Sequence, residues 1–197
     1  MITVVVLAAG ASSRMGQPKA LLEENGVTYL AKITATARGA GATSVAVVAG
    51  PPDGDKIKAK LPVGAGWVWN HDPSRGMITS VQIAISGLPP RTLACMVWPV
   101  DVPNVESATV RAIMSAPAGK IVVPRYKGKG GHPVRLPAKL FGEIAALPNE
   151  TSLKQFIDAH PADTIYLDVE DEWVTRDFDT PADVKKAKDD KAAAKAV

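Results

Sequence analysis

The chain has 197 residues, 46% of them hydrophobic and 22% charged, with a formal net charge of +3. These are ordinary globular values. They exclude global disorder, and one domain per about 150 residues predicts a single domain over residues 1–197. The one cysteine, Cys95, excludes an intramolecular disulfide and any zinc site built on two or more cysteines.

Lys and Arg are spread along the chain, with one thickening at the C-terminus. A duplex-DNA binder would carry a basic stripe, so no nucleic-acid partner is expected, and mild basicity suits small anionic substrates. No apolar run approaches the roughly 18 residues of a membrane helix. Ile2 to Ala9 is apolar but lacks the charged n-region of a signal peptide, and the chain turns polar at Ser12-Ser13-Arg14. A buried first strand in a cytoplasmic protein, with no membrane partner, is the expectation.

Ile2 to Leu7 is short, β-branched and apolar, like a strand covered on both faces. Thr28 can cap a helix to about Arg38, stopped by Gly39-Ala40-Gly41. Ser44 to Ala49 reads as a strand, Asp55 to Leu61 as a short helix, and Gly66 to Asn70 as a third strand. Gly76 to Leu88 has helical spacing and ends at Pro89-Pro90. Leu93 to Val100 is a fourth strand, with Cys95 as a buried structural thiol. Asn104 can cap a helix to about Ser115, and Lys120 to Pro124 is a fifth strand. Tyr126 to Arg135 reads as a hairpin around Lys127-Gly128-Lys129-Gly130-Gly131. Helices follow near Ala138 to Leu147 and Thr151 to Ala159, then a strand from Thr164 to Val169. A last helix starts near Pro181 with Thr180 as cap, and residues 185–197 form a charged, fraying tail. Trp67, Trp69 and Trp98 read as core packing.

Strands alternating with helices predict a three-layer α/β/α fold around a mostly parallel sheet, with a small hairpin near 125–136. Ligands of such sheets bind beyond the carboxyl ends of the strands. The first such loop, Ala8 to Lys19, combines small residues, hydroxyls and two cations. Gly10 leaves room for backbone N–H groups to approach an anion. Arg14 can bind phosphate through parallel hydrogen bonds, and Lys19 acts as a point charge. The dinucleotide pattern G-x-G-x-x-G is absent, and Lys19 does not follow a glycine as in a Walker A loop. A phosphate loop and a structural turn with incidental charges both remain open.

The stretch Leu7 to Lys19 resembles the L-A-A-G-x-S-x-R-M-G-x-x-K signature of MobA-like nucleotidyltransferases, most of all the molybdenum cofactor cytidylyltransferase branch. Four further segments agree in order: Asn70 with Gly76-Met77-Ile78-Thr79-Ser80, Pro99-Val100-Asp101-Val102-Pro103, Gly131-His132-Pro133-Val134, and Asp177-Phe178-Asp179-Thr180-Pro181-Ala182-Asp183. The resemblance covers residues 2 to about 186. It implies a Rossmann-like domain and Mg²⁺-dependent transfer of a nucleotidyl group from a nucleoside triphosphate to a phosphate-bearing acceptor. The first candidates are CTP and molybdopterin, with a molybdoenzyme as eventual recipient of the product.

By that resemblance, Leu7, Ala8, Ala9, Gly10, Ser12, Ser13, Arg14, Lys19, Asn70, Ser80 and Asp101 bind the nucleotide. Arg14, Lys19 and Asp101 are the catalytic set, and Asp101 and Asp179 hold Mg²⁺. Asp101 follows an apolar strand directly, which places its carboxylate at the sheet's carboxyl edge. Asp179 competes with a capping role before the last helix, and Asp177 and Asp183 read as structural. Asn70 has both donor and acceptor to read a base edge, but equally suits a turn after its strand. Ser80 can bond a ligand or its own backbone. His132, beside Lys127 and Lys129, is the acceptor-side candidate. Guanylyl-transferring relatives often read Leu-Ala-Gly-Gly where this chain reads Leu7-Ala8-Ala9-Gly10, which points to CTP. Pro148 to Lys154 departs from the branch, lacking its Gly-Asp-x-Gly-Ala-Arg. Alternatives are a sugar- or alditol-phosphate nucleotidyltransferase and a non-catalytic chaperone of a pterin cofactor.

Overall fold

Four strands carry the first half of the sheet: β1 (Ile2–Leu7), β4 (Ser44–Ala49), β5 (Gly66–Trp69) and β6 (Ala94–Pro99). The computed structural model describes residues 1–10, 15–180, 182–183 and 185. The last helix and tail expected from Pro181 onward lie mostly outside the described residues.

The central strands β1, β4 and β6 are buried on both faces, and their side chains alternate between two cores. Val4 and Val6 of β1 join Met96 and Trp98 of β6 on one face. Val5 and Leu7 join Cys95 and Val97 on the other. The first core is covered by α1 (Tyr29–Gly39), α2 (Gly54–Lys58) and α4 (Ser107–Ser115), through Leu30, Ile33, Ile57, Val110 and Ile113. The second is covered by α3 (Met77–Ser86), α5 (Phe141–Ala145) and α6 (Leu153–Asp158), through Ile78, Val81, Ile144 and Phe156. The three-layer expectation therefore holds. Trp98 is fully buried, its indole N–H donating to the Val102 carbonyl at 2.8 Å. The Cys95 thiol is buried as expected, and burial pushes its pKa up to about 12.

The remaining strands of the sheet are β7 (Ile121–Tyr126), β8 (Lys129–Gly130), β9 (Val134–Pro137) and β10 (Thr164–Asp168). The order is β10-β7-β9-β6-β1-β4-β5, with β8 paired to β7. The β6-β1-β4-β5 ladders are parallel, as is β10-β7, while β9 runs antiparallel between β6 and β7. The path moves outward from β1 through β4 to β5, then returns to lay β6 on the other side of β1. That reversal makes the carboxyl ends of β1 and β6 the natural ligand crevice.

Local signals explain several boundaries. Thr28 caps α1 by accepting from Ala31 N at 3.1 Å. The helix expected from Asn104 starts later: Glu106 is its N-cap, and Val105 enters the core, which holds the chain extended two residues further. Asn104 instead accepts from Lys32 Nζ. A two-stranded hairpin, β2 (Glu23–Glu24) with β3 (Val27–Thr28), turns through Asn25-Gly26, both with positive φ. The Asn25-Gly26 pair is its signal in the sequence. The hairpin expected after Tyr126 is present as β7–β8.

Candidate active site

The loop after β1 and the loop after β6 flank the crevice. Lys19 opens a 3₁₀ turn, Lys19–Leu21, at the end of the first loop. Asp101 stands two residues past β6, held where Val100 N donates to the Leu7 carbonyl at 3.0 Å. Asp179 arrives from the segment after the turn Glu172–Thr175, which is tied down where Phe178 N donates to the Asp101 carbonyl at 2.8 Å. Three distant stretches thus converge. Lys19 Nζ donates to Asp101 Oδ2 at 3.2 Å and also to Asp179 Oδ1.

Lys19 is 14% exposed in its side chain, against 28% and 32% for the two aspartates. Burial pulls the Lys19 pKa down, but the hydrogen bond to Asp179 and the field of Asp101 outweigh it, so the net shift is upward. The ammonium is a positive charge resting between two carboxylates, so the spot favours a cation. Among the described residues no group of three or more His, Cys, Asp or Glu side chains is assembled to hold a metal. Two carboxylates suffice for Mg²⁺, which commonly takes one or two protein carboxylates and completes its shell with substrate phosphates and water. Asp101 and Asp179 fit that role.

The other expected nucleotide residues divide. Leu7, Ala8 and Ala9 are buried where β1 ends, and Ala8 N donates to the Val48 carbonyl at 2.7 Å. Gly10 is exposed at the crevice mouth. Ser12, Ser13 and Arg14 lie outside the described residues. Asn70 and Ser80 are brought together, but facing one another: Asn70 Nδ2 donates to Ser80 Oγ at 2.9 Å, and Asn70 Oδ1 accepts from Asp72 N at 3.0 Å. Both are buried, and these bonds shape the turn that leads from β5 to α3. Thr180 and Asp183 form the cap expected of them. The Asp183 carboxylate accepts from Thr180 N at 2.7 Å and its own N–H donates to Thr180 Oγ1 at 3.3 Å. The hydrogen bonds from Thr180 lower the Asp183 pKa.

A second hollow adjoins the first. A cavity of about 250 Å³ is lined by Pro99, Asp101, Asp177, Thr175 and His132. A larger one, about 750 Å³, has apolar walls from Val123, Val134, Leu153, Ile157 and Tyr166, with Lys154 and Arg125 at its rim. Met77, Lys129, Gly130, Gly131 and His132 line both, so the two spaces meet at the Gly-His-Pro segment. Gly131 is required there: a Cβ would strike the Val174 carbonyl. His132 N donates to that same carbonyl at 2.8 Å. Burial lowers the His132 pKa, opposed by Asp101, the Val97 carbonyl and Asp177, so the ring is neutral near pH 7. Its Nδ1 is buried without a hydrogen-bond partner among the described residues. Lys154 is paired with Asp158 at 2.5 Å and Arg125 with Asp168 at 2.7 Å.

Sequence reasoning missed Arg135. Its buried guanidinium donates to the carbonyls of Ile113, Met114 and Ala116 at 2.9–3.1 Å and of Pro117 at 2.5 Å, closing the C-terminal end of α4. A lone cation between Val134 and Leu136 in a strand was the available signal.

The crevice at the switch point holds two carboxylates with a bridging ammonium and adjoins a cavity of about 750 Å³. The pattern of the MobA-like NTP transferase domain matches residues 4–164, and the chain belongs to that family. It is 26% identical over 190 residues to the molybdenum cofactor cytidylyltransferase of Escherichia coli K12, covering 95% of this chain and 96% of that one. Among solved structures, Rv0371c from Mycobacterium tuberculosis H37Rv is 32% identical with a TM-score of 0.85, covering 94% of this chain and 97% of that one. A structure of Rv0371C in complex with manganese is 30% identical with a TM-score of 0.79, covering 94% and 96%. Among the described residues no helix is long and apolar enough to cross a membrane.

Proposed function

We propose that the protein transfers CMP from CTP to a phosphate-bearing small molecule, with molybdopterin the first candidate, and releases pyrophosphate. The convergence of Lys19, Asp101 and Asp179 at the switch point carries this reading. The cytidylyltransferase relative and the Leu7-Ala8-Ala9-Gly10 turn support the base and the acceptor. The manganese complex of a similar protein supports a divalent metal.

The triphosphate lies along the loop after β1, where Lys19 and Arg14 neutralise its oxygens. Asp101 and Asp179 would hold Mg²⁺, which when bound withdraws charge from the phosphates and orients them. The acceptor occupies the larger cavity, its phosphate facing Asp101 across the throat at Lys129 and His132. An acceptor phosphate oxygen attacks the α-phosphorus; the bond to the bridging oxygen breaks, and pyrophosphate leaves with that oxygen. No covalent enzyme intermediate is needed. Positioning and charge neutralisation supply the rate.

Thermal unfolding with CTP, GTP, ATP or UTP, with and without Mg²⁺, tests the nucleotide half alone. A ligand at 100 times its Kd adds about 2.7 kcal/mol, a shift of roughly 5–11 °C for a chain of this size. A Mg²⁺-dependent shift selective for CTP and lost in Asp101→Asn is the expected result. Selectivity for another nucleotide overturns the base assignment, and no shift with any overturns the nucleotide site.

A further inference from the structure

The site contains a cation supplied by the protein itself. One ammonium, Lys19 Nζ, is shared between Asp101 and Asp179, residues 78 apart in sequence, and it lies in a half-buried crevice. It engages one oxygen of each carboxylate that would hold a divalent ion. Mg²⁺ sits at about 2.0–2.1 Å from its ligands, so an ion bridging the two carboxylates competes with Lys19 for the space between them. Like-charge repulsion adds to that competition.

Lys19 also has a second destination. It ends the loop that receives the triphosphate, on a flexible four-carbon stem with three rotatable donors. A triphosphate offers it more negative charge than the two aspartates do. Resting on the aspartates, the ammonium holds together two carboxylates that would otherwise repel, without fixing them permanently.

We propose that Lys19 is the resident counter-ion of the metal site. It blocks the carboxylates to divalent cations until a triphosphate draws it away, so that triphosphate and metal bind with positive cooperativity. The inference rests on the reading of Asp101 and Asp179 as metal ligands. It makes Lys19 a positioning residue for the metal as well as a partner of the phosphates. By linkage, the metal must strengthen triphosphate binding by the same factor.

The test is Mn²⁺ binding to the full chain, followed by the loss of the free-ion electron paramagnetic resonance signal, with no substrate present. Lys19→Gln should bind Mn²⁺ at least tenfold more tightly than the wild type. Lys19→Arg keeps a cation between the carboxylates and should stay as weak as wild type. Adding Asp101→Asn to Lys19→Gln should abolish the gain. In calorimetric titrations with α,β-methylene CTP, Mn²⁺ should lower the Kd of the analogue more for wild type than for Lys19→Gln. The Mn²⁺–analogue complex in solution is common to both and cancels. Equal Mn²⁺ affinity in wild type and Lys19→Gln overturns the counter-ion role while leaving the metal site standing. Absence of binding by every form, with the analogue or without it, overturns the metal assignment and this inference with it.

Discussion

The two halves of the sheet differ in strand direction: one is wholly parallel, and the other contains a reversed strand. In the β6-β1-β4-β5 half every ladder is parallel, and the candidate site residues follow the strands: Gly10 and Lys19 after β1, Asp101 after β6. In the other half β9 runs antiparallel between β6 and β7, so its beginning faces the crevice. His132 accordingly precedes its strand. The rule that ligands lie past the carboxyl ends holds for the sheet as a whole, but a reversed strand turns it into a rule about the residue before. The first half sets Lys19 and Asp101 beside the crevice; the second offers an apolar cavity that meets it at Lys129 and His132.

The largest effect that would sharpen this contrast is on the first half. Asp101→Asn should lower pyrophosphate release at saturating CTP, Mg²⁺ and molybdopterin by at least 10²–10³-fold, on the scale of a lost transition-state partner. Unfolding temperature should change little. Near-wild-type turnover would break the assignment of that half. Arg135→Met tests the second half. It leaves several α4 carbonyls without a donor and should cost about 3 kcal/mol, read as a fall in Tm of roughly 6–12 °C. CTP binding at low temperature should survive it.

Ser152→Ala removes a capping box from α6, where Gln155 N donates to Ser152 Oγ at 3.1 Å and Gln155 Oε1 accepts from Ser152 N at 2.8 Å. A loss of about 1 kcal/mol in denaturant unfolding is expected. It should fall on the larger cavity, which Ser152 and Leu153 line, more than on the crevice. The smallest effect concerns Cys95. With its thiol buried and its pKa pushed up to about 12, it should show no reaction with a thiol reagent at pH 8 until the protein is unfolded.

Most of the parallel framework was legible because its central strands β1, β4 and β6 are short, largely buried apolar runs between breakers, and local sequence suffices for that. Asp101 was legible for the same reason: it directly follows such a run. The bridging position of Lys19 was not, since it depends on bringing residues 19, 101 and 179 together. Asn70 and Ser80 were singled out separately, and nothing in their spacing says that each would face the other. The placement of β9 escaped because Val134 to Pro137 is four residues long and its neighbours are set by a strand 40 residues earlier. Arg135 escaped with it, for its partners are backbone carbonyls, which carry no signature in side-chain identity.

Arg135 has a consequence that reaches the throat. Along β9, Val134 and Leu136 enter the core beneath α3, α5 and α6, while Arg135 points through the opposite face to α4. A slip of one residue in the pairing of β9 would reverse all three. Two valine-like neighbours could tolerate such a slip; a guanidinium with a single set of carbonyls to reach could not. The cation therefore acts as a register pin. It fixes, from the far side of the sheet and with no chemistry of its own, how far along β6 the hairpin stands, and hence where His132 and Lys129 meet the crevice.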